Sequence, residues 1–240
     1  MIKVGVSGAC GKMGKRIICL SREDKDIEVI LGLEHKACPS VGQVIDGVQI
    51  TADLDRLREC DCWIDFSAAS ATQKNLEAII KYNKCVIIGT TGLDAAVRDE
   101  IKAASSKIAV IFSPNMSIGV NVLFKLIKEA AGTLSKYGVS ISEAHHIHKK
   151  DTPSGTAKKI AEIINDQGFN LKIEDIKAIR ENEIIGDHKI VFESDVDRIE
   201  LFHSAKTRDI FVQGAILAAK WIVGKPAGLY SMEDVLFGNE

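Results

Sequence analysis

An α/β fold, a doubly wound parallel sheet joined to a smaller α+β unit with a mixed sheet, is what this 240-residue sequence predicts. Three observations predict it. Short, nearly continuous apolar runs alternate with amphipathic helical patterns up to about residue 115, as parallel strands buried on both faces require. A glycine-rich turn sits between the first such run and the first helix, as in dinucleotide-binding βαβ units. Beyond Ser113-Pro114-Asn115 several strand-like stretches follow one another without crossover helices, which marks an α+β unit.

Taken in order, Lys3–Ser7 reads as the first strand and the stretch carrying Met13, Ile17, Ile18 and Leu20 as a helix. Further strands are expected at Ile27–Leu33, Cys62–Phe66, Cys85–Ile88 and Ile108–Phe112, with helical patterns near 72–82 and 94–105. A longer helix is expected over Val120–Leu134, then a strand at Val139–Glu143. A His/Lys-rich loop and a helix over Gly155–Gln167 follow, with Gly168 as its stop. Strand-like stretches near 176–180, 188–193 and 196–203 come next, and a last helix over Gln213–Val223 precedes the tail.

Composition bounds the function classes. At roughly 150 residues per domain the length gives about one and a half domains. Hydrophobic residues are 46% and charged residues 27%, ordinary for a globular chain. The net charge of −2 provides no global field for nucleic acid or an anionic membrane. No apolar run approaches the ~18 residues that span a bilayer. Met1 is followed at once by a strand-like Ile2-Lys3-Val4-Gly5-Val6 instead of a secretory leader, so a cytoplasmic protein is expected. The six cysteines, at 10, 19, 38, 60, 62 and 85, lack zinc or C-x-x-C spacing and are expected to be reduced.

Four motifs carry chemistry. Gly8-Ala9-Cys10-Gly11-Lys12-Met13-Gly14 lets backbone approach a pyrophosphate, which a helix N-terminus then attracts. Glu34 stands 20 residues after Gly14, where an acidic residue binds the adenosine ribose. His35 and Lys36 beside it could meet a 2′-phosphate, so NADH and NADPH both remain open. Gly89-Thr90-Thr91-Gly92 and Ser113-Pro114-Asn115-Met116 follow strand ends, which border the ligand crevice of open α/β sheets. Finally, Glu143 to Ala157 holds His145, His146, His148, Lys149 and Lys150 before a Pro153-Ser154-Gly155-Thr156 helix start. Histidine exchanges protons near neutral pH, lysine offers fixed charge, and the helix opening accepts a carboxylate. Together these describe a pocket for a small anion that needs a proton beside a hydride donor. No spacing in this block supports a metal site.

In this order, Gly8–Gly14, Gly89–Gly92, Asn115-Met-Ser-Ile-Gly-Val-Asn121 and Glu143-Ala-His-His…Lys149…Asp151-Thr-Pro-Ser-Gly-Thr156 resemble the 4-hydroxy-tetrahydrodipicolinate reductase (dihydrodipicolinate reductase) family along nearly the whole chain. The resemblance implies NAD(P)H-dependent reduction of a small cyclic dicarboxylate in the diaminopimelate route to lysine. It implies that His145 and Lys149 handle protons and that His146, Gly155 and Thr156 bind substrate carboxylate. It implies that Gly8, Ala9, Cys10, Gly11, Lys12, Met13, Glu34, His35, Gly89, Thr90, Thr91, Ser113, Pro114, Asn115 and Met116 line the dinucleotide. It also implies a Rossmann-type domain from residues 1–117 and 208–240, an inserted substrate-binding and oligomerisation domain over 118–207, and a homotetramer. The long Gly/Arg-rich loop usual in the family before the segment matched by Arg180–His188 is largely absent. His35 stands where a basic Arg often follows the acidic residue.

Two other readings compete. Another NAD(P)-dependent dehydrogenase of amino-acid or semialdehyde type shares the build, although the semialdehyde chemistry uses a nucleophilic cysteine and no cysteine occurs beyond Cys85. A non-catalytic dinucleotide sensor would have no use for His145 and Lys149.

Overall fold

The structure, a computed structural model, describes residues 1–238. In chain order it contains β1 (Ile2–Ser7), α1 (Lys12–Ser21), β2 (Ile27–Leu33), β3 (Val44–Ile45), β4 (Val48–Thr51), a 3-10 turn (Leu54–Glu59), β5 (Cys62–Asp65), α2 (Ala69–Lys81), β6 (Cys85–Ile88), α3 (Ala95–Ala104) and β7 (Ala109–Phe112). Then come α4 (Ile118–Thr133), β8 (Gly138–His145), α5 (Gly155–Asn165), a 3-10 turn (Ile173–Asp175), β9 (Lys177–Arg180), β10 (Asp187–Glu193), β11 (Arg198–Ser204), α6 (Asp209–Ile222), β12 (Gly228–Tyr230) and α7 (Met232–Phe237). Two compact units result: Met1–Met116 with the chain from Phe211 onward, and Ser117–Ile210. Asn239 and Glu240, the end of the segment expected over 208–240, lie outside the described residues.

The first unit is built on an eight-stranded sheet in the order β12-β7-β6-β5-β1-β2-β4-β3, parallel except for the β3–β4 hairpin. Alternation along the strands decides which residues face which layer. Val4, Val6, Ile64, Ile87 and Ile111 pack with Ile17 of α1 and Val212, Ala215, Ala219 and Ile222 of α6. Trp63, Val86, Ile88 and Val110 pack with Leu76 and Ile79 of α2 and Val97 and Ile101 of α3. Both faces are therefore covered, which is why the strands read as continuous apolar runs. Strand order reverses at β1, with β2 on one side and β5 on the other, so the turn after β1 opens at the switch point where such sheets bind ligands.

The second unit has a four-stranded sheet, β11-β10-β8-β9, in which β8 and β9 are parallel and the other pairs antiparallel. One face is buried by Val120, Phe124 and Ile127 of α4 and Ile160 and Ile164 of α5, packed on Ile141, Ile190 and Phe192. The mixed sheet matches the expectation from consecutive strands.

Three departures have local causes. The β3–β4 hairpin is too short to show as an apolar run, yet its turn carries Asp46 and Gly47 at φ 50° and 83°. Both central residues are left-handed, the geometry that selects Asp-Gly in two-residue hairpins. The helix expected over Gln213–Val223 is α6, which begins at Asp209, because Phe211 and Val212 already pack on the first core. The expected tail forms β12, which pairs with β7, and α7, where Ser231 and Asp234 form a reciprocal capping box.

Candidate functional site

In the first unit the candidate residues begin at β1. Gly8 has φ +76°, and a Cβ there would stand 2.5 Å from the carbonyl oxygen of Phe66. A Cβ on Gly14 would stand 2.2 Å from the carbonyl oxygen of Gly8. Only glycine at these positions lets the turn close and α1 start against it. The N-cap of α1 is Gly11, which brings no side-chain bond, and its first turn has no acidic residue. Such an end presents backbone N–H groups and a partial positive charge, and it fits the pyrophosphate of a nicotinamide dinucleotide. Glu34, just after β2, accepts the N–H of Cys10 through Oε1 at 2.7 Å. The structure thus brings Glu34 to the glycine turn from 24 residues away.

Not every predicted residue of this unit offers its side chain to a ligand. Ala9 is 1% exposed and packs on Ile18, Val48 and Ile50. Met116 is 2% exposed and belongs to the core beside Val212. Lys12, His35, Thr91 and Pro114 are exposed. His35 Nδ1 accepts the N–H of Ala37 at 3.2 Å. Gly89 donates its N–H to the Asp65 carbonyl at 2.9 Å, and the Thr90 hydroxyl donates to Asp65 Oδ1 at 3.2 Å. Ser113 Oγ donates to the carbonyl of Asn115 at 3.1 Å. Asp65 itself, buried at the end of β5, also accepts from the N–H and hydroxyl of Ser67. It organises the turn after β6, a role that sequence spacing did not suggest. Because β1, β5, β6 and β7 are parallel neighbours, the turns after them share one edge of the sheet.

In the second unit the candidate residues gather at the end of β8. Its buried face runs from Ile141 through Glu143 to His145, and the buried face of β10 runs from Phe192 through Ile190 to His188. One end of this face is apolar core and the other is an ionic cluster. Glu143, 1% exposed, receives four donors. Arg180 spans both its oxygens at 3.0 and 2.9 Å, Ser154 N–H reaches Oε1 at 3.1 Å, and His145 Nδ1 makes a short contact with Oε2. A carboxylate has about four acceptor sites, so this one is saturated. Burial pushes the Glu143 carboxyl up, but the bonds from Arg180 and His145 outweigh it and hold it below the usual carboxylate range. Burial pushes His145 down, partly offset by Glu143, leaving the ring below its ordinary value.

His188 stands edge-on to His145, ring centroids 5.3 Å apart. Burial drives its pKa down to about 3, so the ring is neutral at working pH. Its Nε2 lies 3.3 Å from Ser154 Oγ, which also caps α5 by accepting the N–H of Ala157 at 3.1 Å.

The remaining predicted residues sit around this cluster. Lys149 Nζ pairs with Asp151 at 2.9 Å. Burial raises the Asp151 carboxyl, but Lys149 outweighs this and holds it low. His146 Nδ1 is buried without a partner, and its ring stands 6.2 Å from that of His148. Gly155 and Thr156 form the first turn of α5, which carries no acidic residue. A Cβ on Gly155 would meet nothing within 4 Å, and the Gly155 N–H donates to the Asp151 carboxylate, so this helix N-terminus already binds one carboxylate. Glu143 opens the His/Lys-rich motif, whereas Arg180 and His188 only bound the segment preceded by the absent family loop, and spacing assigns a role to none of the three. Arg180 reaches Glu143 only because β9 pairs in parallel with β8, setting His145 opposite Arg180.

Comparison with known proteins agrees along the chain. Residues 2–116 match the family model "Dihydrodipicolinate reductase, N-terminus" and residues 119–236 the model "Dihydrodipicolinate reductase, C-terminus". The 4-hydroxy-tetrahydrodipicolinate reductase of Syntrophotalea carbinolica is 38% identical, covering 98% of this chain and 99% of the relative. That of Aquifex aeolicus is 41% identical, covering 98% of each. The fold is similar to dipicolinate-bound dihydrodipicolinate reductase from Paenisporosarcina sp. TG-14, with TM-score 0.82 and 23% identity over 96% of this chain and 97% of that one. This chain belongs to the dihydrodipicolinate reductase family.

Proposed function

We propose that the chain is an oxidoreductase that reduces 4-hydroxy-tetrahydrodipicolinate to tetrahydrodipicolinate, adding one hydride and one proton and releasing the 4-hydroxyl as water, within diaminopimelate and lysine biosynthesis. Besides family membership, the observation that carries this reading is the end of β8. There a buried histidine bonded to a saturated carboxylate adjoins a lysine paired with Asp151 and the start of α5, whose first turn carries no acidic residue. A bound nicotinamide dinucleotide supplies the hydride. In the first unit, Gly8 to Met13 and the start of α1 hold its pyrophosphate. Glu34 takes the adenosine ribose, and the Gly89–Thr91 and Ser113–Met116 turns hold the remainder. In the second unit, Gly155, Thr156 and His146 receive a substrate carboxylate. His145 and Lys149 provide the proton where charge develops, a contribution of typically ~10²–10⁴-fold.

Glu34 bears on cofactor choice. Its carboxylate is pinned beside the glycine turn and repels a 2′-phosphate, whereas His35 and Lys36 attract one; we assign preference to NADH with residual use of NADPH. The outer face of the second sheet supports a homotetramer. On it Phe202 of β11 is 61% exposed beside Lys189 of β10, and a shallow concavity lined by Gly138, Ser140 and Val191 lies away from the ionic cluster. Among the described residues no helix is long and apolar enough to cross a membrane, and we place the enzyme in the cytoplasm.

The test is substrate-dependent NADH and NADPH oxidation by the wild type, His145→Gln and Lys149→Ala. Loss of turnover in the variants supports the assignment, and full activity in both contradicts it. Light scattering that finds a monomer at micromolar concentration contradicts the tetramer.

A further inference from the structure

We propose that Glu143, clamped by Arg180, is a positioning residue that holds the His145 ring in a single tautomer with Nε2 presented for proton transfer. The inference rests on the proposed role of His145 and extends it to two residues that need touch neither substrate nor cofactor.

The geometry leaves Glu143 no other task. Its two oxygens are filled by both terminal nitrogens of Arg180, the N–H of Ser154 and Nδ1 of His145. Saturated in this way and buried, it has no lone pair left for a ligand and cannot serve as a proton acceptor. Facing such a carboxylate, His145 Nδ1 must carry the hydrogen. The neutral ring then has its lone pair on Nε2, and the protonated ring has Nε2–H to give. Gly186 lies on that side of the ring: a Cβ there would stand 3.0 Å from Nε2. The absence of a side chain at 186 keeps the reactive nitrogen clear.

Arg180 has a distinct part. A bare buried carboxylate would hold the imidazolium form strongly and discourage proton release. The bidentate guanidinium balances that charge, so Glu143 orients the ring while holding its proton less tightly. Every packed element contributes a group: Glu143 on β8 itself, Arg180 from β9, His188 from β10, and Lys149, paired with Asp151, from the loop after β8. Burial keeps His188 neutral, and Lys149 and Arg180 oppose a further positive charge on His145. Removing Glu143 and removing Arg180 should therefore move His145 in opposite directions.

The experiment measures the pH profile of kcat and kcat/KM for the full-length enzyme and for Glu143→Gln, Arg180→Met and Arg180→Lys. A proton donor loses activity as pH rises through its pKa. Glu143→Gln should lower kcat by ~10²-fold and move the alkaline limb to lower pH. Arg180→Met should move that limb to higher pH, and Arg180→Lys should restore most of the wild-type profile. Limbs that stay in place, or that move in the same direction, overturn the proposal, since a purely structural role predicts no opposed shift. Where Glu143→Gln does not fold, NMR of isotope-labelled histidine in the wild type decides. A neutral His145 with its hydrogen on Nδ1 supports the proposal, and one with its hydrogen on Nε2 overturns it. His145→Gln separates the two layers. If that variant retains turnover, the proton-donor reading fails, while the tautomer measurement still judges the Glu143 contact.

Discussion

His188 makes acid stability a sharp test of the β8 cluster. The residue is 4% exposed, its Nδ1 is buried without a partner, and burial lowers its pKa from 6.5 to about 3. Because the folded value lies below the unfolded one, the folded state binds fewer protons between them. Stability is therefore full above about pH 6.5 and is lost as pH falls toward about 3. Each unit costs about 1.4 kcal/mol, so at about pH 4.5 the ring should cost roughly 3 kcal/mol. His188→Gln retains an amide near Ser154 Oγ and does not titrate. Glu143, whose carboxyl is held low, also loses stabilisation when pH falls through its folded value, but in both proteins. The assay is urea unfolding of wild type and variant at neutral pH and at about pH 4.5. It should be followed by far-ultraviolet circular dichroism, because both tryptophans, Trp63 and Trp221, lie in the first unit. The stability difference should shift by roughly 3 kcal/mol in the variant's favour on acidification. A difference that stays constant between the two pH values refutes the assignment of a buried neutral ring.

Other outcomes follow from the same contacts. Gly14→Ala forces a Cβ to within 2.2 Å of the Gly8 carbonyl. It should cost about 1–3 kcal/mol of stability and weaken dinucleotide binding by at least ~10-fold; an unchanged fluorescence titration with NADH would contradict the role of the turn. Glu34→Ser removes the bond to Cys10 and the charge that repels a 2′-phosphate, so the NADPH-to-NADH ratio of kcat/KM should rise, and a fixed ratio counts against Glu34 as the ribose residue. Ser154→Ala removes the cap of α5 and should cost about 1 kcal/mol, measurable as a lower thermal midpoint, with a larger loss if the contact to His188 also matters.

The alternating strands and helices of the first unit were legible because burial on both faces makes each strand a continuous apolar run, as in Cys85–Ile88. The glycine turn was legible because backbone crowding leaves no alternative at Gly8 and Gly14. β12 was missed because three residues carry almost no periodicity, and its place beside β7 depends on a long-range pairing. The Asp46-Gly47 turn did carry a local signal, one that a search for apolar runs alone passes over. In the second unit, His145 and Lys149 stood out by residue type. Arg180 did not, since 37 residues separate it from Glu143 and only the parallel register of β8 with β9 unites them. The depressed value at His188 likewise depends on packing that no spacing encodes.

The most direct measurement of the central claim is consumption of NADH and NADPH by the purified protein with freshly prepared 4-hydroxy-tetrahydrodipicolinate, beside His145→Gln under the same conditions. The expected result is substrate-dependent oxidation by the wild type, faster with NADH, and a loss of ~10²-fold or more in the variant. No turnover with either cofactor, or equal rates in wild type and variant, would contradict it.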